Sequence, residues 1–305
     1  MNLKSNKAIT LVALIITIII LLILAGVSLS MVLGENGLIN KAQSSVDKYQ
    51  YSSENEQNLL NQIEEYLDGK GLGPSISNTE SYIGKYADVD GDGIVDGVIY
   101  ADLAVGGSGT WNNSNGAYTI PKITTGLKEY CVSKKSYTNA INGEQEVIRA
   151  KTTNGTSRFY VMALTDIDGK QNVTTYYWYN TASGTMSDYA STTSGDFGKG
   201  ASNTTNMLAK WNKPAYGAQN TKDLWGQIQE QVNKGWYMLS RAEWSAFGAN
   251  LSINKSNYAS KGLSAVYWSS SQYNTNHAWY TAFRADCMND SSIDYDFYIR
   301  LGTTF

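Results

Sequence analysis

Four aspartates fall close together at Asp88, Asp90, Asp92 and Asp96, with Gly93 at the sixth position counted from Asp88. Carboxylates at alternate positions supply hard oxygens, and glycine allows the sharp turn of a calcium loop. Calcium is therefore the one cofactor these residues suggest. A complete loop of this kind closes on Glu at its twelfth position; Ile99 stands there, and Asp102, three residues on, is the available substitute. The same stretch also reads as an Asp/Gly-rich hairpin turn between strands at Tyr82 and Ile83 and at Val98, Ile99 and Tyr100. Both readings stand.

The remaining chemistry is sparse. His277 is the single histidine, and it sits in a polar stretch with no nucleophile motif beside it. Zinc sites of the usual His/Cys type lack ligands. No glycine-rich dinucleotide fingerprint and no P-loop is present. Two cysteines, Cys131 and Cys287, do not make a disulfide framework, and an unpaired state is the favoured expectation. The net charge of −3, with no basic stripe, argues against nucleic acid.

Residues 8–33 carry no charge. As a helix this run is ~39 Å long at ~1.5 Å per residue, enough to cross a hydrocarbon core of ~30 Å. A cleaved secretory signal is the alternative, with Ala25 and Gly26 as its end. The apolar character nevertheless continues through Val27, Leu29, Met31, Val32 and Leu33. Lys4 and Lys7 precede the run and Glu35 follows it, which places the N-terminus in the cytoplasm and the body outside the cell. Gly34 and Gly37 interrupt the helical pattern. It resumes with Leu38, Ala42, Val46 and Tyr49 on one face, then Leu59, Ile63, Tyr66 and Leu67, as an amphipathic stalk. A glycine-rich linker over 69–80 then separates the stalk from a body at 81–305.

The body is rich in Gly, Ser, Thr, Asn and Tyr, with enough aromatics for a core. Strand signals fall at 97–103, 117–120, 146–150, 158–164, 175–179, 265–269, 278–283 and 297–301. Residues 171–205 read mostly as long loops. Leu224, Ile228 and Val232 mark a helix starting near Thr221. Ser240 and Glu243 form a capping box for a second helix, with Trp244, Phe247 and Leu251 on its apolar face. The fold class expected is α+β.

Lys7, Ala8, Ile9, Thr10, Leu11 and Val12, followed by the aliphatic run, resemble the N-terminus of a type IV prepilin. The resemblance implies a basic leader at 1–8, cleavage between Ala8 and Ile9, and a membrane and stalk helix at 9–68. Two positions depart from that family. Ala8 stands where Gly is usual before the cut, and Ala13 where the family has a Glu associated with subunit assembly. A plain signal anchor remains the other reading.

Three stretches of the C-terminal third resemble the C-type lectin-like fold in its formylglycine-generating-enzyme branch. They are 235–244 (GWYMLSRAEW), 266–271 (VYWSSS) and 298–305 (YIRLGTTF). Trp244 and Trp268 read as scaffold. Within that fold the chain looks most like the variable proteins of diversity-generating retroelements, in which template adenines are rewritten and AAY codons yield mixtures lacking Lys, Gln and Glu. Residues 273–298 contain no Lys, Gln, Glu or Gly, and only Trp279 and Met288 are residues that AAY could not yield. Tyr, Asn and Ser also suit a binding surface, as in antibody loops. An ordinary polar loop and strand pair is the alternative.

The resemblance places the ligand-binding surface on Tyr273, Asn274, Asn276, His277, Tyr280, Arg284, Asp286, Cys287, Asn289, Asp290, Ser291, Ser292, Asp294, Tyr295, Asp296 and Tyr298. It implies a single-pass cell-surface protein, anchored through residues 8–33, that binds an extracellular protein or glycan. The alternative is a structural pilin or pseudopilin that packs against other pilin subunits. An oxidase of the formylglycine-generating type needs a close thiol pair, and the surroundings of Cys131 and Cys287 do not match one. No enzymatic activity is expected.

Overall fold

The computed structural model describes residues 5–33, 38–67, 73–180 and 186–305. The chain divides into two compact units, Met1–Gly71 and Leu72–Phe305.

The first unit holds two helices, α1 (Ser5–Leu33) and α2 (Leu38–Leu67). The described side chains of α1, residues 13–28, are all exposed. On α2, Ala42, Val46, Tyr49 and Leu59 are exposed as well. Among the described residues no helix is long and apolar enough to cross a membrane. The helix break expected at Gly34–Gly37 and the linker glycines Gly69 and Gly71 lie outside the described residues. The same is true of the side chains of Ala8 and Ile9, whose backbone is helical.

The second unit is a mixed α and β structure with several sheets. Its main sheet contains β1 (Tyr86–Asp88), β2 (Gly97–Asp102), β5 (Tyr130–Asn139), β6 (Gly143–Ala150), β7 (Phe159–Ala163), β9 (Tyr237–Met238) and β14 (Leu301–Thr304). The strand order is β5-β6-β1-β2-β7-β14-β9, antiparallel except for β1 with β6. Three smaller sheets accompany it. β3 (Gly107–Thr110) pairs with β4 (Ala117–Ile120). β8 (Tyr176–Tyr177) pairs with β13 (Asp296–Phe297). β10 (Val266–Gln272), β11 (His277–Ala282) and β12 (Cys287–Ser292) form a three-stranded sheet. The helices are α3 (Tyr189–Thr192), α4 (Gly200–Asn212), α5 (Leu224–Gln227), α6 (Gln229–Asn233) and α7 (Arg241–Asn250).

Helix α7 starts where the capping box requires. The Ser240 side chain accepts from the Glu243 N–H, and the Glu243 carboxylate accepts from the Ser240 N–H. Its ring residues pack one side of the three-stranded sheet, with Trp244 stacked on Tyr267 at 4.9 Å and 21°. Trp268 points the other way, into a second core with Trp178, Trp225 and Ile293. Trp244 and Trp268 are both fully buried.

Two buried ion pairs fix the frame. Asp102 takes two hydrogen bonds from the Arg158 guanidinium, at 2.7 and 2.9 Å. Arg158 donates further to Ser77 O, Asn78 Oδ1 and Glu80 O. Part of the stretch expected to be a linker is thereby held against the body. Likewise Asp166 binds Arg300 Nε at 2.7 Å, together with the Tyr267 and Ser264 hydroxyls.

Several elements differ from the sequence reading. The strand expected at 297–301 is two strands: Phe297 pairs with β8, and Leu301 begins β14 between β7 and β9. Arg300, turned inward to reach Asp166, divides them. The first six residues of helix α4 fall in the stretch 171–205 expected to be loop. Its composition is poor for helix, and tertiary burial of Gly200, Asn203, Thr204 and Met207 overrides that preference. The helix expected from Thr221 is two short pieces, α5 and α6, meeting at Ile228.

Candidate functional site

The hairpin of β11 and β12 carries most of the expected binding residues. Its register pairs His277 with Ser292, Trp279 with Asp290, Tyr280 with Asn289, and Thr281 with Met288. Side chains alternate across a strand, so directly paired residues share a face. One face presents His277, Trp279 and Thr281 with Ser292, Asp290 and Met288. The other presents Ala278, Tyr280 and Ala282 with Ser291, Asn289 and Cys287. The first face is core at its Thr281 and Met288 end, and the second is buried at both ends of β11. Met288 and Thr281 are buried beside Tyr267, while Ala278 and Ala282 are buried on the Trp268 side.

None of the sixteen expected residues is buried. Tyr273, Asn276, Arg284, Asn289, Asp294 and Tyr295 are exposed, and the other ten are half-buried. Tyr273 is 47% exposed and Tyr295 60%. The interior of the segment falls instead to Ala278, Thr281, Ala282, Phe283, Met288 and Ile293.

Several of the sixteen also build the loops that carry the others. Asn274 Oδ1 accepts from the N–H groups of Asn276 and His277, closing the turn before β11. Asp286 adopts a left-handed conformation, φ 49°, which Asp tolerates better than bulky residues, and its carboxylate caps Lys255 N–H. Asp294 accepts from the Ser292 hydroxyl. Lys222 and Thr175 donate to Asp296, holding its carboxyl below the usual range. His277 Nδ1 and Asp290 Oδ2 are 2.7 Å apart. Tyr280 packs between Trp268 and Phe297, with ring distances of 6.3 and 4.8 Å. Burial raises its hydroxyl pKa, and also that of the Cys287 thiol. Tyr298 lies with Tyr267 at the start of β10, its N–H bonded to Val266 O.

Sequence reasoning missed Arg241. It occupies the first turn of α7, and its guanidinium lies over the Trp279 ring at 5.2 Å. Nη1 donates to Asn115 O at 2.7 Å. Tyr273 meets Trp279 edge-on at 5.0 Å and 81°. Nothing in the sequence joins Arg241 to Trp279, because they are distant along the chain and meet only when α7 packs on β11.

The acidic loop is a separate place on the molecule. It joins β1 to β2, so the hairpin-turn reading describes its backbone. Asp88 accepts from the N–H groups of Gly91 and Gly93, Asp90 from Asp92, Asp92 from Ile94, and Asp96 from Val89. Carboxylate oxygens of Asp88, Asp90 and Asp96 lie within 4.8 Å of one another, a donor set that fits a hard cation. Asp92 stands outside that group. Ile99, at the twelfth position, is buried in β2, and Asp102 is committed to Arg158, so neither adds a ligand. Burial raises the carboxyls of Asp88 and Asp96 to about 6.

Both cysteines are free thiols, Cys131 buried on β5 and Cys287 half-buried on β12.

No family model and no curated protein matches the chain. Among solved structures, it is similar in part to a fimbrial protein from Bacteroides ovatus ATCC 8483, at 15% identity and a TM-score of 0.34. The match covers 48% of this chain and 36% of that one, so this chain spans about a third of the length of that protein. At that distance the likeness establishes neither fold nor function.

Proposed function

We propose that this chain is a cell-surface display protein: a ligand-binding body of C-type lectin-like type, carried on a membrane anchor at residues 8–33. The observation that carries the reading is the division of labour within 273–298. The residues expected to vary all reach solvent, while a separate buried set holds the hairpin to the core. Such a segment tolerates replacement of its outer residues without loss of the frame.

Support for the lectin-like body comes from convergence. The three sequence stretches that carry the resemblance meet in one place. Residues 235–244 supply β9 and the start of α7, and β9 pairs with β14 from 298–305. Strand β10, from 266–271, receives Trp244 on Tyr267 and is bonded at Trp268 N–H to Tyr298 O. The surface composition, with exposed Tyr and Asn beside a rigid sheet, suits adaptable protein recognition.

Sequencing the 3′ end of the gene across one lineage tests the reading. Codon changes are expected at the sixteen outward positions, with Ala278, Phe283 and Met288 constant. Invariant codons throughout 273–298 would sink diversification and leave a surface protein with a fixed partner.

A further inference from the structure

Arg241 presents a feature that the display reading does not use. A guanidinium has five N–H donors. Only Nη1 is engaged, on Asn115 O, and Nε and Nη2 donate to no acceptor among the described residues. The group is half-buried, and desolvation works against its charge. It is nevertheless firmly placed. Trp279 lies beneath it, and Gly195 flanks it so closely that a Cβ there would come within 2.9 Å of Nε. The Asn115 carbonyl belongs to a loop whose Asn113 and Asn115 side chains bond to Met288 O of β12. The backbone that aims Arg241 is fixed by the capping box and by Ser271 Oγ, which accepts from Arg241 N–H at 3.0 Å.

We propose, resting on the display reading above, that Arg241 on Trp279 is a carboxylate-binding anchor for an acidic side chain of a protein partner that docks on the 273–298 surface. A planar guanidinium with unused donors matches a carboxylate in a two-point contact, which a lysine ammonium would not reproduce. The nearby acids favour a singly charged group over a phosphate. Asp196 and Asp290 both lie near the site, the first receiving the Ser194 hydroxyl and the second paired with His277. They would repel a dianion more strongly than a carboxylate. The aromatic geometry favours protein over sugar. One side of Trp279 is covered by Arg241 and Tyr273 packs against it at 81°, which reduces the ring surface available for stacking a sugar. Arg, Trp and Tyr together are also the residues that dominate protein interfaces.

The test titrates the isotope-labelled full chain with N-acetyl-Tyr-Asp-Tyr-amide, its Asn counterpart and glucuronate, following the Trp279 indole and Arg241 Nε–H signals. The Asp peptide should shift both saturably and bind about tenfold more tightly than the Asn peptide. Arg241→Lys and Gly195→Ala should each remove most of that preference with an unchanged melting temperature, the second by pushing the guanidinium off the ring. Equal binding of the two peptides, no saturable shift, or a preference that survives Arg241→Lys would overturn the anchor. Saturation by glucuronate alone would overturn the protein partner. None of these results touches the display reading, which stands or falls on whether the outward residues of 273–298 vary.

Discussion

At Asp88 and Asp96, desolvation outweighs the backbone N–H groups that each carboxylate accepts, and both pKa values rise to about 6. The sign of the pH effect follows. The same carboxyls release protons near 3.8 when unfolded, so between about 4 and 6 the folded chain holds more protons, and stability declines as pH rises through that window. A bound cation would reverse the cost by favouring the charged forms. Asp96→Asn should therefore stabilise the metal-free chain at pH 7 by about 1 kcal/mol, after allowing for partial solvent screening. Millimolar calcium should stabilise the native chain but not the variant, and lose its effect as pH falls below about 6. Thermal melts with calcium or chelator decide it: no calcium-dependent gain in the native chain leaves only a hairpin turn. The acidic spacing was visible in sequence. Which carboxylates converge was not, because Asp88, Asp90 and Asp96 form the group without Asp92, and Asp102 is claimed by Arg158, more than fifty residues on.

Among the elements, the β11–β12 hairpin separates exposed from buried positions residue by residue. Replacing Arg284, Asn289, Asp294 or Tyr295 by Ala should each change stability by no more than about 0.5 kcal/mol, as for surface positions generally. Met288→Ala, from the same strand as Asn289, should cost about 2–5 kcal/mol. Denaturant melts of the five single variants check this, and a large loss at the four exposed positions would make them core. The elements legible in advance were those with local signals: the capping box of α7, the β4 strand, and the hydrophobic runs of β2 and β7. Helix α4 was missed although Asn203, Thr204 and Met207 have helical spacing, because Asn and Thr rarely serve as a buried face. Here Asn203 bonds Ser194 O and Ser270 Oγ, and Thr204 bonds Gly200 O. Strand β5 was hidden by its polar centre, and its ladder with β6 is irregular there.

For the whole molecule, the proposed anchor and the body make separable claims. The full chain should remain with membranes through alkaline carbonate extraction, and deletion of 8–33 should release it. Residues 72–305, which contain the whole main sheet and all three cores, should melt cooperatively at the temperature of the full chain. Carbonate extraction of the full chain into the supernatant would remove the anchor. A non-cooperative melt of the body alone would mean that the helices of the first unit complete its fold. That helices precede the sheets along the chain was legible in the hydrophobic pattern. The way 298–305 closes the main sheet was not, since the placement of β14 depends on pairings with β7 and β9 from distant segments.

That placement bears on truncation. Strand β14 follows 273–298 directly and lies between β7 and β9 within the main sheet, with Phe305 O receiving the Tyr130 hydroxyl. A truncation anywhere in 273–298 removes β14 with everything downstream. The product then lacks the strand that joins β7 to β9 in its largest sheet. Loss of the last few residues is therefore expected to cost far more than replacement of any of the exposed residues just before them, because it removes a strand that two others flank.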